Sequence, residues 1–305
     1  MGDVIDVGKN VVPLSYSSIS TFLDCRHKYY YKYIKGYSPR EYKSSYVVGN
    51  FFSLGLYYLY TKKQKPITET MKLFEIEKQK LREKLSLSPA EEQNLNEQDV
   101  IIRGMLGAYK TKYKNFIKKT THIGNEVTLK YKSTTDVNFM GRIDNLLINK
   151  GKKYIHEIKT SKYLDENYVK NIKNSLQVAL YFTLYNELHE DKINGIVYDV
   201  IRKPSIRLKR KESKEEFLVR LSEYYADPTR TDVFYMEIID KPMITSKKVY
   251  NLLDKVLDDI KRCKKEPDYY HNFNHCFVWN RCEYYDVCFF GENKLNLTKF
   301  DVRKK

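Results

Sequence analysis

Residues 141–161 read GRIDNLLINKGKKYIHEIKTS, and their pattern decides the fold. Val, Ile and Tyr alternate with polar residues over 136–149 and again over 153–160, the period-two pattern of half-buried strands. Asn149-Lys150-Gly151-Lys152 is a turn between the two. Asp144 lies on the first strand. Glu157 and Lys159, two residues apart on the second, share one of its faces. A tight hairpin can bring Asp144 alongside them. Two converging carboxylates make a hard oxygen site suited to Mg²⁺ or Mn²⁺. An adjacent lysine can orient and help deprotonate a water, or offset negative charge in a transition state. That is equipment for hydrolysing a phosphodiester. The same residues also fit an ordinary hairpin with a solvated charged face, because E-x-K on a strand is common.

Outward from this hairpin the chain alternates helices and strands. Upstream, SYSSISTFLDCRHKYYYKYI has helical spacing, with Ser17 as N-cap and Gly36 as stop. Further helices fit 46–63, 67–86 and 89–119, the last opened by the capping box Ser88-Pro89-Ala90-Glu91. Residues 1–14 look extended, and 123–133 reads as the first strand of a sheet. Downstream, a helix over 166–189 follows Asp165, a strand fits 194–202, and Ser213 to Glu216 is a second capping box. A strand at 232–240 and a helix at 245–265 follow. The expectation is one α/β domain over 1–305, with a helical insertion near 60–120, a sheet core over 123–240 and a C-terminal helix with a cysteine cluster over 245–290.

Among 305 residues, 55 Lys and Arg against 39 Asp and Glu leave a net charge of +16. Such an excess suits a polyanion, of which nucleic acid is the usual one, and also serves plain solubility. No apolar run is long enough to span a membrane. The N-terminal MGDVIDVGKN has no apolar core, so a cytoplasmic location is expected. In a reducing compartment five cysteines, an odd number, read as ligands plus a spare rather than as disulfides. Cys276, Cys282 and Cys288 are spaced C-x5-C-x5-C, Cys25 lies far upstream, and Cys263 stands alone on the long helix. The spacing is not that of a zinc finger or ribbon, and thiolates bind either zinc or an iron–sulfur cluster.

Residues 202–214 carry seven basic side chains: Arg202, Lys203, Arg207, Lys209, Arg210, Lys211 and Lys214. Arg207, Lys209, Arg210 and Lys211 are candidates for contacts to a DNA backbone, or part of a solvated mobile loop. Tyr29, Tyr30, Tyr31 and Tyr33, at helical spacing near Cys25, read mainly as packing residues.

The joint pattern G-R-I-D, then I-H-E-I-K-T-S, then Gln177 and Tyr181 in QVALY resembles the PD-(D/E)XK nuclease superfamily. Within it, the chain is similar to the RecB-like branch, with the AddB and CRISPR-associated iron–sulfur exonucleases and phage relatives, over about 14–290. The resemblance implies a restriction-endonuclease-like α/β core, a central mixed sheet flanked by helices. It implies that Asp144, Glu157 and the main-chain carbonyl of Ile158 ligate Mg²⁺ or Mn²⁺, and that Lys159 is the catalytic lysine. Gln177 and Tyr181 would line the DNA-facing side. Glu126 would be an outer carboxylate, a surface glutamate being the other reading. Many RecB-like enzymes carry a metal-ligating histidine four residues after a glycine; here Ser53 follows Gly49 at that spacing, and serine is a poor ligand beside carboxylates.

The resemblance further implies a 4Fe–4S cluster on Cys25, Cys276, Cys282 and Cys288, a staple closing a loop of some 250 residues, with Trp279 as its lid. The implied activity is an exonuclease acting on single-stranded DNA or duplex ends. Any unwinding would come from a helicase, or from a recombination or adaptation protein, because the chain has no G-x4-GK-(S/T) loop. A non-catalytic DNA-binding protein and a structure-specific endonuclease are the rival readings.

Overall fold

A computed structural model describes residues 14–40, 44–132, 138–265, 267–278 and 281–303. The expectations for residues 1–13, for Trp279 and for the last two residues of the chain lie outside these. In chain order the structure holds α1 (Tyr16–Asp24), α2 (Arg26–Tyr29), a π-turn at Tyr30–Ile34, β1 (Tyr37–Pro39) and α3 (Ser44–Tyr60). Then come α4 (Pro66–Lys84), α5 (Pro89–Lys112), α6 (Lys114–Lys119), β2 (Thr120–Lys132), β3 (Asn138–Asn149) and β4 (Lys152–Ser161). After these follow α7 (Glu166–Lys173), α8 (Leu176–Leu188), β5 (Gly195–Arg202), α9 (Lys214–Ala226) and β6 (Phe234–Ile239). The chain closes with α10 (Ser246–Lys265), a 3-10 turn at Phe273–His275, α11 (Tyr285–Phe290), α12 (Lys294–Leu297) and β7 (Phe300–Val302). Among the described residues no helix is long and apolar enough to cross a membrane.

Two compact units are present. The sheet unit comprises the described residues of Tyr42–Val127 and Arg142–Ile244, and the cysteine unit those of Met1–Glu41, Thr128–Gly141 and Thr245–Lys305. In the first, five strands run in the order β2-β3-β4-β5-β6, with the far parts of β2 and β3 belonging to the second. β3 and β4 are antiparallel, joined at Asn149↔Lys152 by Lys150 and Gly151 with φ of 50° and 74°. Positive φ at both central residues makes the type I′ turn whose twist matches a two-residue hairpin. β4 and β5 are parallel, so the chain must cross over between them, and α7 and α8 form the crossover. β6 returns antiparallel to β5. The sheet is therefore mixed, and the α/β expectation holds.

Helices cover both faces. On one, Leu147, Ile158 and Ile201 of the sheet pack with Phe52 and Leu56 of α3, Ile102 and Met105 of α5, and Phe217 of α9. On the other, α8 buries Val178, Ala179, Leu180 and Leu184 and lies beside β5. Gly195 has no room for a side chain, because a Cβ there would sit 2.6 Å from the Ile239 carbonyl oxygen.

Some helix expectations need correction. Ser15, not Ser17, caps α1: its Oγ accepts from Ser18 N and Ser18 Oγ accepts from Ser15 N, a reciprocal box. The helix expected to continue to Ile34 breaks at Cys25, which is extended (φ −162°, ψ 115°). The helices over 89–119 and 166–189 break at Tyr113 and at Asn174, each leaving the helical region, with Ser175 capping a fresh start. The Ser88 and Ser213 capping boxes and the Asp165 cap are present.

In the cysteine unit β1 pairs antiparallel with β7, and Leu14 bridges to Phe139. A small core of Tyr31, Tyr37, Tyr284, Val287 and Phe300 holds the terminal segments, with Cys282 and Cys288 packed against it. Tyr29 and Tyr31 are buried, so packing is their part here.

Candidate functional site

Strand alternation puts Glu157 and Lys159 on the face of β4 that α8 covers, and the β3–β4 hairpin brings Asp144 beside them. Asp144 Oδ2 accepts from Ile158 N at 3.1 Å, a bond that fixes the carboxylate against the next strand. Glu157 is 3 % exposed. Its Oε1 accepts from the Lys159 ammonium and, at 2.8 Å, from Gln177 Nε2 in the first turn of α8. Its Oε2 is buried without a hydrogen-bond partner. A buried carboxylate oxygen with nothing to accept from is costly, and a cation is what such an atom lacks.

The electrostatics follow from this packing. Burial pushes the Glu157 carboxyl up to about 7; Lys159 opposes the rise and the neighbouring Asp144 adds to it. Burial works against the charge on Lys159, but Glu157 more than offsets it and holds the ammonium above its usual range. Lys159 therefore presents a proton and a positive charge at neutral pH. Tyr181, pushed up to about 12 mainly by burial, sits behind Gln177 and hydrogen-bonds with it. Gln177 thus serves the carboxylate directly, and Tyr181 is enclosed rather than open to a ligand.

The other expected members of the site stand on other elements. Glu126, at φ 49° in β2, is ion-paired with Arg142 on the surface. Ser53 is on α3, whose Gly49 approaches Thr160 Oγ1, a residue of the opposite face of β4. Among the described residues no hydrogen bond joins Ser53 or Glu126 to Asp144 or Glu157. The basic segment after β5 starts at the end of β4, where Lys203 N donates to Ser161 O. It is anchored rather than free. Buried Glu97 of α5 accepts from Leu208 N at 2.6 Å and pairs with Arg207, while Arg220 of α9 donates to the Arg207 carbonyl and to Glu212. Lys209, Arg210 and Lys211 stand exposed at its tip.

The face of the sheet away from Glu157 holds a polar network that the sequence reading missed. His156 is fully buried, its Nε2 3.1 Å from Asp199 Oδ2. Tyr109 donates to the same oxygen and lies 2.8 Å from the Tyr60 hydroxyl. The available signal was a lone carboxylate, Asp199, inside the otherwise apolar strand GIVYDVIR.

In the cysteine unit, Cys25, Cys276, Cys282 and Cys288 are free thiols. The break at Cys25 turns its Sγ to accept from Lys28 N and Asn272 N, both at 3.5 Å. Cys282 N donates to Cys276 O at 2.8 Å. Burial first, and then Cys25, Cys276 and Cys282, push the Cys288 thiol up to about 12. Mutual repulsion of this kind is what a bound cationic centre relieves. Among the described residues only His27, His271 and Cys288 bring three such donors within 4.8 Å of one another. Among the described residues no three of the four sulfurs lie within 4.8 Å of one another. Cys263 is apart from them, buried, accepting from Arg26 and donating to Asp268 O.

No curated protein matches this chain. A solved structure of a candidate exonuclease from Eubacterium rectale aligns over 92 % of this chain and 88 % of its own, at 14 % identity and a TM-score of 0.48. The solved structure of SSO0001 aligns over 70 % of this chain and 74 % of its own, at 12 % identity and a TM-score of 0.30. The sequence profile of the PD-(D/E)XK nuclease superfamily matches residues 13–289, a span that contains the Asp144–Glu157–Lys159 hairpin, Gln177 and all four clustered cysteines. With that match over nine-tenths of its length, the chain belongs to the PD-(D/E)XK nuclease superfamily.

Proposed function

We propose that the chain is a divalent-metal-dependent DNA nuclease, acting as an exonuclease on single strands or duplex ends. The observation that carries this is the orphaned, buried Glu157 Oε2 beside Asp144 and Lys159. Asp144, Glu157 and the Ile158 carbonyl would hold Mg²⁺ or Mn²⁺, and that ion would supply Lewis-acid charge to the scissile phosphate. Gln177 holds Glu157 in place from α8. Lys159, kept protonated by Glu157, sets its ammonium where negative charge develops as the phosphodiester is attacked. Lys209, Arg210 and Lys211, on the anchored loop after β5, would track the phosphate backbone.

The four cysteines suit a 4Fe–4S cluster, which takes four thiolate ligands, and the other three each raise the Cys288 thiol. There the cluster would tie the N- and C-terminal segments of the cysteine unit. The preference for ends rests on the likeness to RecB-like exonucleases.

The test is incubation of oxygen-free protein with end-labelled single-stranded DNA and Mg²⁺ or Mn²⁺. Lys159→Ala and Glu157→Gln should each lower cleavage by about 100-fold or more while the chain still binds DNA. Cleavage unchanged in both variants rejects the chemistry. Bound but uncut DNA with the native chain would instead support a binding protein. Nicking of a covalently closed circle would make the enzyme an endonuclease.

A further inference from the structure

Among the described residues of the sheet unit, the exposed aromatic side chains are Tyr46 and Tyr163, at 69 % and 55 %. Tyr46 is on α3, which covers the face of the sheet away from Glu157. Tyr163 lies four residues after Lys159, on the turn that leaves β4. Four residues of extended chain reach at most about 14 Å, so the backbone of Tyr163 is held within that distance of Lys159.

The turn is pinned along its length. Ser161 shares the Glu157 and Lys159 face of β4, and its Oγ accepts from Tyr163 N at 3.2 Å. The Ser161 carbonyl accepts from Lys203 N at 2.7 Å, and the Lys162 carbonyl from Arg202 Nε at 3.3 Å. Leu164, next along the chain, is buried. Tyr168 of α7 returns to the same place. Its hydroxyl hydrogen-bonds with Ser161 and Tyr198, and the Lys159 ammonium is near enough for its charge to act on that hydroxyl. The core thus fixes the turn and leaves the Tyr163 ring in solvent, where it contributes little to packing. The Lys162 ammonium stands over that ring, 5.2 Å from its centre.

A held aromatic face with a cation beside it matches one chemistry in particular: a nucleotide whose base takes the ring and whose phosphate takes the ammonium. A base inside a duplex already has neighbours on both faces and has none to offer. Because the turn is ordered beforehand, stacking on it costs little further entropy.

We propose that Tyr163 stacks on an unpaired base beside the scissile phosphate, on the ring face opposite Lys162, while Lys162 neutralises an adjoining phosphate. The site therefore takes an unpaired strand in preference to a paired end. This inference rests on the nuclease reading above and narrows its substrate. The grip is tolerant of sequence, since every base has a π-face.

Fluorescence anisotropy of a labelled thymine oligonucleotide, with chelator present so that it stays uncut, reads the affinity. Tyr163→Ala should weaken binding about 10-fold. Tyr163→Trp should bind as tightly as the native chain, and Tyr163→Leu, which keeps apolar bulk without a π-face, should resemble the alanine variant. A blunt hairpin duplex should bind all these chains alike. A fluorescent base analogue near the end of the strand should be quenched on binding the native chain and less so on binding Tyr163→Ala. Circular dichroism should be the same for all, because the ring is exposed. Equal single-strand affinity of the native and Tyr163→Ala chains, or a loss shared equally by the duplex, overturns the proposal and leaves the nuclease reading standing. A native chain that binds neither DNA overturns both.

Discussion

Glu157 is the residue on which the proposed chemistry of the sheet unit turns. It gives one oxygen to Lys159 and Gln177 and keeps the other buried and unpartnered. A carboxyl whose folded-state value is raised gives stability that is present below its unfolded value and lost as pH rises through the folded one. For Glu157 that window runs from 4.5 to about 7. The change is worth up to about 3 kcal/mol. Urea unfolding with chelator present should therefore show this part of the stability lost between pH 4.5 and about 7, and Glu157→Gln should remove that dependence. Equal pH profiles for the two chains would mean that burial does not govern this carboxyl. Added Mn²⁺ should stabilise the native chain most at the upper end of the range, where the carboxylate is free to bind it.

At the scale of elements, two short segments make separate commitments. Ser15 caps α1 through a reciprocal box, whereas Ser17 lends only its carbonyl, to Thr21. Ser15→Ala should cost about 1 kcal/mol by chemical denaturation and Ser17→Ala far less. The loop between β5 and α9 is the second. Glu97 and Arg220 fix its course, which spares it much of the ordering entropy that a free loop would lose on binding a strand. Arg210→Ala with Lys211→Ala should weaken single-stranded DNA binding at every sequence alike. The slope of log affinity against log salt should fall by about 1.4, at about 0.7 for each phosphate no longer neutralised. An unchanged slope would take this loop out of the DNA path. Kinks at Tyr113 and Asn174 belong to the same scale: each replaces one long helix by two that can follow the sheet separately.

At the scale of the whole molecule, the two units place their chemistry differently. In the sheet unit the site is built on adjacent strands with one helix behind them. In the cysteine unit the four clustered thiols come from residue 25 and from residues 276–288, beside an aromatic core of Tyr31, Tyr37, Tyr284, Val287 and Phe300. A centre that ties segments so distant in sequence contributes folding energy directly. Cys25→Ser should therefore quicken amide exchange in 16–34 and 281–302 of iron-loaded protein. Residues 142–161 of the sheet unit, measured in the same sample, should change little. Equal protection of the terminal segments in both chains would show that the cysteines do not staple them.

Period-two alternation, one turn and the shared placement of three candidate site residues were legible in 141–161 because strand geometry is local: two residues along a strand is always the same face. Capping boxes at Ser88 and Ser213 were legible for the same reason, since a cap and its partner are three residues apart. Among the four serines of SYSSIS the sequence reading chose Ser17 as the cap of α1, wrongly, because each is chemically able and only the path of the chain into the helix selects Ser15. Gln177 was recognisable as part of the pattern, but that it holds Glu157 depends on where the crossover sets α8 down. Asp199, Tyr109 and Tyr60 meet His156 from strands and helices 43 to 96 residues away, and His27 meets His271 across 244 residues. No spacing rule reaches that far. The sequence by itself determined the strands, the hairpin and the residues that could bear chemistry; only tertiary packing decided which of them are buried together, and burial is what raises Glu157 and brings the histidines to Cys288.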